Sequence, residues 1–177
     1  MQRIKTKFKG LYVYQGIKFT DKRGNLREVY KQSIIKKKFP FSITSKSKKN
    51  VIRGLHLQAK KTQDKYIAVL KGKILDVVVD LRKNSKTFGK TYKIILSEKN
   101  NLSLYVPNGF AHSYLTLDKE NIVYYKLSNY YAPKFESGIF WNDKDIKIKL
   151  PIKNPIVSNK DKNLPSFKDF LKRFKYL

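Results

Sequence analysis

The chain has 177 residues, 41% of them hydrophobic with 12 Tyr and 11 Phe, enough for one domain with a real core and short for two. It has no Cys, which excludes disulfides, thiolate catalysis and cysteine-ligated zinc, and it has no apolar run near the roughly 20 residues of a membrane span. Its formal charge of +27 suits a polyanion such as nucleic acid. However, the lysines are spread from Lys5 to Lys175, and no helix-turn-helix, zinc finger or arginine-rich tail is visible. Nucleic acid is therefore disfavoured as a partner, and a smaller anion such as a nucleotide diphosphate suits the charge as well. No apolar signal core follows the basic N-terminus, so a cytoplasmic protein is expected.

In chain order, residues 9–14 and 26–30 read as short strands around the turn Asp21-Lys22-Arg23-Gly24-Asn25. Residues 31–50 are basic and read as an irregular, mobile loop. The stretch Val51-Ile52-Arg53-Gly54-Leu55-His56-Leu57-Gln58 reads as a strand. Strict alternation puts Arg53, Leu55 and Leu57 on one face and Gly54, His56 and Gln58 on the other. A polar loop, residues 59–63, is a candidate site rim. Residues 66–82 hold two β-branched runs around Lys71-Gly72-Lys73, the pattern of a hairpin with Gly at its turn. Asp76 and Asp80 alternate with Val77 and Val79 there, and are expected on a polar side of the barrel or at strand ends.

Further strands are predicted at 91–97, 102–106, 111–117 and 121–128, with turns at Glu98 to Asn101, Pro107 to Gly109 and Asp118 to Asn121. Short strands with regular turn punctuation predict a mainly β fold, a β-barrel or jelly roll. Phe167, Phe170, Leu171 and Phe174 lie at helical spacing, so Pro165 to Leu177 reads as an amphipathic helix covering the barrel. No repeat divides the chain, and residues 1–177 read as a single domain.

The two histidines, His56 and His112, with no Cys, under-supply a metal site. Proton transfer without a metal fits better. It needs a base, an acid, and a cation or donor for developing negative charge. His56 can serve as base and Lys65 as cation. The acid can come from Tyr124, Tyr125, Tyr130 or Tyr131, although most of the 12 tyrosines must simply be packing.

At this point several spaced motifs resemble one family. They are Asp21 to Glu28, Arg53-Gly54-Leu55-His56-Leu57-Gln58, Asp76 to Arg82, Thr87-Phe88-Gly89, Val106 to His112, Trp141-Asn142-Asp143 and Ser158 to Asp161, in family order over about residues 10–165. They resemble the dTDP-4-dehydrorhamnose 3,5-epimerases. That resemblance implies a cupin-type jelly roll, no metal and no cofactor, and a nucleotide-linked 4-keto-6-deoxyhexose as substrate. It implies His56 as base, Asp161 as the carboxylate that orients it, Lys65 as the cation for an enolate oxygen, and Tyr125 as the acid. Arg53, His112, Tyr131, Glu136 and Lys160 match substrate-contacting positions. Arg23 and Glu28 match residues that reach into the partner's site in a homodimer. Two places depart from the family pattern, both at the nucleotide end: Leu26 stands where a Phe is usual, and Phe41-Ser42-Ile43 replaces a polar run. Related enzymes invert one carbon only or use other nucleotide sugars. From different classes, a non-catalytic sugar-nucleotide-binding barrel and a nucleic-acid-binding barrel also fit the composition.

Overall fold

The computed structural model describes residues 1–174, so the predicted helix's last residues, Lys175 to Leu177, lie outside the described residues. In chain order the strands are β1 (Gln2–Lys5), β2 (Tyr12–Gln15), β3 (Lys18–Asp21), β4 (Gly24–Arg27), β5 (Phe41–Lys48), β6 (Ile52–Gln58) and β7 (Lys65–Lys71). They continue as β8 (Lys73–Asp80), β9 (Thr91–Ser97), β10 (Leu102–Val106), β11 (Phe110–Thr116), β12 (Glu120–Leu127) and β13 (Glu136–Gly138). The helices are α1 (Gln32–Ile35), α2 (Asn159–Lys162) and α3 (Phe167–Arg173). Among these residues no helix is long and apolar enough to cross a membrane.

Two antiparallel sheets face each other. The six-stranded sheet runs β1-β2-β10-β7-β12-β5, and the five-stranded sheet runs β13-β6-β11-β8-β9. Between them Leu11, Val13, Ile67, Val69 and Leu104 meet Ile74, Val78, Leu96 and Phe110. The outer face of the five-stranded sheet is buried too. Leu55, Leu57, Val77, Val79 and Ala111 pack there against Ile139, Ile146, Ile148 and Phe170. This is why β8 reads as an almost continuous apolar run rather than an alternating one. On the other side Ile35 and Phe39 cover Tyr14, Tyr66 and Ala68. The architecture is the jelly roll expected of the motifs.

Residues 31–50 are not the expected loop. They hold α1 and then β5, an eight-residue strand paired with β12 from Phe41↔Leu127 to Lys48↔Glu120. Its alternation runs through Phe41, Ile43, Ser45 and Ser47, where serines occupy positions usually marked by apolar residues. The hairpin at Lys71-Gly72-Lys73 is also corrected. β7 pairs with β10 and β12, whereas β8 pairs with β11 and β9, so the turn at Gly72 crosses from one sheet to the other. Gly72 has φ +80°, and a Cβ there would lie 2.3 Å from the Glu120 carbonyl oxygen. Glycine is thus required by a crossing as well as by a hairpin turn.

Near the N-terminus the predicted turn at Asp21 to Asn25 joins β3 and β4 as a small hairpin sheet, tighter than the strands expected at 9–14 and 26–30. The strands expected at 91–97 and 102–106 are β9 and β10, and the next two begin one residue early, as β11 and β12. The helix expected from Pro165 begins at Phe167, because Ser166 caps it by accepting the Asp169 N–H (3.2 Å).

Candidate active site

The site is built outward from β6. His112 of β11 lies opposite His56, but Tyr114 lies opposite Arg53. Three steps on β6 therefore match two on β11, which is a β-bulge. The bulge breaks the expected alternation. Arg53 does not share a face with Leu55 and Leu57. It lines the same cavity as His56, while both leucines pack in the outer cluster, Leu57 also reaching the cavity edge. Gly54 makes the bulge feasible, with φ +106° and its missing Cβ only 2.4 Å from the His112 carbonyl oxygen.

His56 Nε2 lies 2.6 Å from Asp161 Oδ1, and the Gly54 N–H donates to Asp161 Oδ2 (3.1 Å). Asp161 comes from α2, 105 residues later. Ser158 caps that helix by accepting the Asp161 N–H (3.1 Å), so the sequence Ser158-Asn159-Lys160-Asp161 is itself a helix-start signal. Burial pushes the Asp161 carboxyl up, but its hydrogen bond to His56, that ring's charge, the Gly54 N–H and Lys160 together hold it below the usual carboxylate value.

Lys65 and Tyr125 stand on the opposite, six-stranded wall. Lys65 Nζ donates to the His56 carbonyl oxygen (3.2 Å). Burial lowers the Lys65 ammonium to about 8, against the pull of Glu136 and Asp76. Burial, with the Tyr114 hydroxyl and Asp76 adding to it and Arg53 opposing, pushes Tyr125 well above an ordinary phenol. Tyr125 therefore keeps its proton as a donor. Its ring meets that of His112 edge to face, 6.1 Å apart.

Between these walls lies a cavity of about 560 Å³, within the range of small-molecule sites. Tyr131, Glu136 and Lys160 form its rim. Tyr131 Oη and Lys160 Nζ both donate to Glu136 Oε2, the latter at 2.5 Å. Burial raises the Glu136 carboxyl, yet Lys160, Tyr131 and His56 bring it below its usual value. Arg53 is exposed and donates through Nε to Ser47 Oγ (3.1 Å). Gln63 of the predicted rim loop lines the cavity, as does Gln58.

Nine of the eleven sequence-predicted site residues, His56, Lys65, Tyr125, Asp161, Arg53, His112, Tyr131, Glu136 and Lys160, converge here. Arg23 and Glu28 do not join the cavity of their own chain. Arg23 pairs with Asp21 (2.7 Å) on the exposed β3–β4 hairpin, and Glu28 accepts from the Met1 amino group (2.9 Å). Asp76, expected on a polar side or at a strand end, is instead fully buried, with Oδ2 2.9 Å from His112 Nε2. Its period-2 companions Ile74 and Val78 face the inner core, a signal that could have placed it inside. The inward position of Tyr114 and the Ser47–Arg53 contact have no signal in the sequence, since a serine-lined strand carries no apolar pattern.

The sequence profile described as dTDP-4-dehydrorhamnose 3,5-epimerase matches residues 5–169. This chain belongs to the dTDP-4-dehydrorhamnose 3,5-epimerase family. A family member from Methanothermobacter thermautotrophicus is 40% identical over 168 residues, covering 90% of this chain and 91% of the relative. The crystal structure of the 3,5-epimerase from Bacillus anthracis, with TDP and PPi bound, superposes with a TM-score of 0.91 at 40% identity, covering 94% of this chain and 99% of that one. The Legionella pneumophila 3,5-epimerase, in complex with dTDP-4-keto-L-rhamnose, has a TM-score of 0.89 at 32% identity over 94% of this chain and 93% of that one.

Proposed function

We propose that this chain epimerises a nucleotide-linked 4-keto-6-deoxyhexose at C3 and C5, converting dTDP-4-dehydro-6-deoxyglucose to dTDP-4-dehydrorhamnose, a step of dTDP-rhamnose biosynthesis. One observation carries the reading. A carboxylate-held histidine, His56 with Asp161 (2.6 Å), lines one wall of a cavity whose other wall carries a half-buried lysine and a buried phenol.

The ketone at C4 acidifies the protons on C3 and C5. His56 removes one, and the C–H electrons move toward the C4 oxygen to form an enolate. Asp161 orients the imidazole and balances its charge. Lys65 offsets the oxyanion in a dry site. Tyr125 delivers a proton to the opposite face of the carbon, which inverts it, and exchange with solvent then returns His56 and Tyr125 to their starting states. With the base and the acid on facing sheets, the two proton transfers reach opposite faces of one sugar ring. Arg53 is a bidentate donor suited to the diphosphate, and Tyr131, His112, Glu136 and Lys160 contact the rest of the substrate. The residues present supply all these roles without a metal or cofactor.

The chain acts as a single-domain homodimer in the cytoplasm in this reading. The β3–β4 hairpin pairs with no other strand among the described residues, and Phe19 and Leu26 on it are 60% and 70% exposed. Such an arm suits a second copy of the chain, bringing Arg23 and Glu28 to that copy's site. A monomeric mass by sedimentation at micromolar concentration would contradict this.

The deciding experiment follows solvent deuterium into dTDP-4-keto-6-deoxyglucose by NMR. Exchange at both C3 and C5 is expected. Exchange at one carbon would make the enzyme a mono-epimerase, and none would reject this substrate. Tyr125→Phe is expected to slow product formation and alter the mixture of epimers with little change in nucleotide binding. A full-rate variant would remove Tyr125 as the acid.

A further inference from the structure

The interior of the barrel holds a second histidine–carboxylate pair. His112 Nε2 lies 2.9 Å from Asp76 Oδ2. Both residues are buried, Asp76 completely, and Asp76 Oδ1 has no hydrogen-bond partner. The strand order and register place the two pairs side by side. β6 and β11 are neighbours with His56 opposite His112, and β8 follows β11 on its far side. The order across the cavity wall is thus Asp161, His56, His112, Asp76.

Stability does not account for Asp76. It sits in an apolar strand between inward-facing Ile74 and Val78. A buried carboxylate with one unsatisfied oxygen is costly there, and an apolar side chain of similar size is often at least as stable. Departures of this kind from good core design concentrate at functional sites. His112 is the group that Asp76 touches. Among the described residues, its other ring nitrogen, Nδ1, has no protein partner, and His112 lines the cavity.

We propose that Asp76 is a positioning residue for the epimerisation: through Nε2 it fixes the ring of His112 and the proton on it, so that Nδ1 is the nitrogen offered to the sugar. The proposal rests on the reading of this cavity as the epimerase site. A histidine held by a carboxylate at one nitrogen has a set tautomer and ring orientation at the other. The charge of Asp76 also reaches the opposite wall, where it favours the protonated forms of Lys65 and Tyr125. Around Lys65 stand Glu136 on β13, Asp76 on β8, Arg53 and His56 on β6, His112 on β11 and Tyr125 on β12. Only Glu136 and Asp76 of these pull the Lys65 ammonium up against burial.

The test is Asp76→Asn, which keeps the shape and removes the charge. The exchange rate at C3 and C5 is measured as a function of pH beside wild type and His56→Ala. The kcat of Asp76→Asn is expected to fall about 10- to 100-fold with KM within about twofold, and its alkaline limb is expected to move to lower pH, because Lys65 keeps only one of its two carboxylates. Wild-type kcat with an unmoved limb would overturn the proposal, whatever the melting temperature does. Should the variant not fold, ¹⁵N NMR of the wild-type imidazole decides: a proton on Nε2 of His112 is expected, and a ring protonated at Nδ1 alone would overturn it. The cavity reading fails separately, through wild-type protein that shows no exchange or through His56→Ala that retains it.

Discussion

Replacing His56 by alanine is expected to abolish deuterium exchange at both C3 and C5 while leaving the fold intact. The expected loss is at least the 10²- to 10⁴-fold typical of a positioned general base. The geometry makes the two outcomes separable. His56 faces a cavity and is only partly buried, and its neighbours Leu55 and Leu57 supply the apolar packing of this strand. Truncating the ring therefore removes little core. It does leave Asp161, held by Gly54 and capped by Ser158, without its partner, so a modest drop in melting temperature is expected. An inactive variant with native near-ultraviolet circular dichroism would support the role as base. A variant unfolded at room temperature would instead make His56 a core histidine, and retained exchange would exclude it as the base.

Lys65→Met should have the next largest effect, a loss on the order of 10²- to 10³-fold in kcat, as for removal of one oxyanion-stabilising donor. Its pH dependence is the sharper test. Burial lowers the Lys65 ammonium to about 8, so the cation is present below that pH and lost above it. Wild-type kcat should fall as pH rises through about 8, and this limb should disappear in Lys65→Met, which has no ammonium to lose. Tyr125 cannot substitute for the limb, because its phenol titrates well above the ordinary value. An alkaline limb that survives the substitution unchanged would assign it to another group.

The sequence made the His56, Asp161, Lys65 and Tyr125 part of the cavity legible and the β5 wall less so, for physical reasons. His56, Asp161, Lys65 and Tyr125 lie on regular elements, where spaced motifs map onto fixed positions. The strands from β7 to β12 carry β-branched and aromatic runs between clear turns. By contrast β5 alternates serines with lysines, so its eight paired residues look like a loop until β12 is seen beside it. Local pattern could not tell whether the turn at Gly72 joined paired strands or facing sheets, since both demand a positive φ; that choice depends on distant partners. The bulge opposite His112 was invisible for the same reason. It exists only as a mismatch between two strands, at the point where Arg53 joins the cavity that His56 lines. The polarity of Asp76 suggests a polar side of the barrel or a strand end, although its spacing from Ile74 and Val78 points inward.

The two rims of the six-stranded sheet give part of the large positive charge a structural meaning. The sheet ends in β1 on one side and β5 on the other. Both strands expose most of their residues, and both carry cations: Arg3 and Lys5 on β1, Lys46 and Lys48 on β5. An open rim presents unpaired backbone groups that another chain can join as an additional strand, and cationic side chains along it make that approach repulsive. Arg3, Lys5 and Lys48 thus disfavour edge-to-edge growth of the sheet, while Lys46 is offset by Glu120 (2.9 Å), and the effect weakens as salt screens the repulsion.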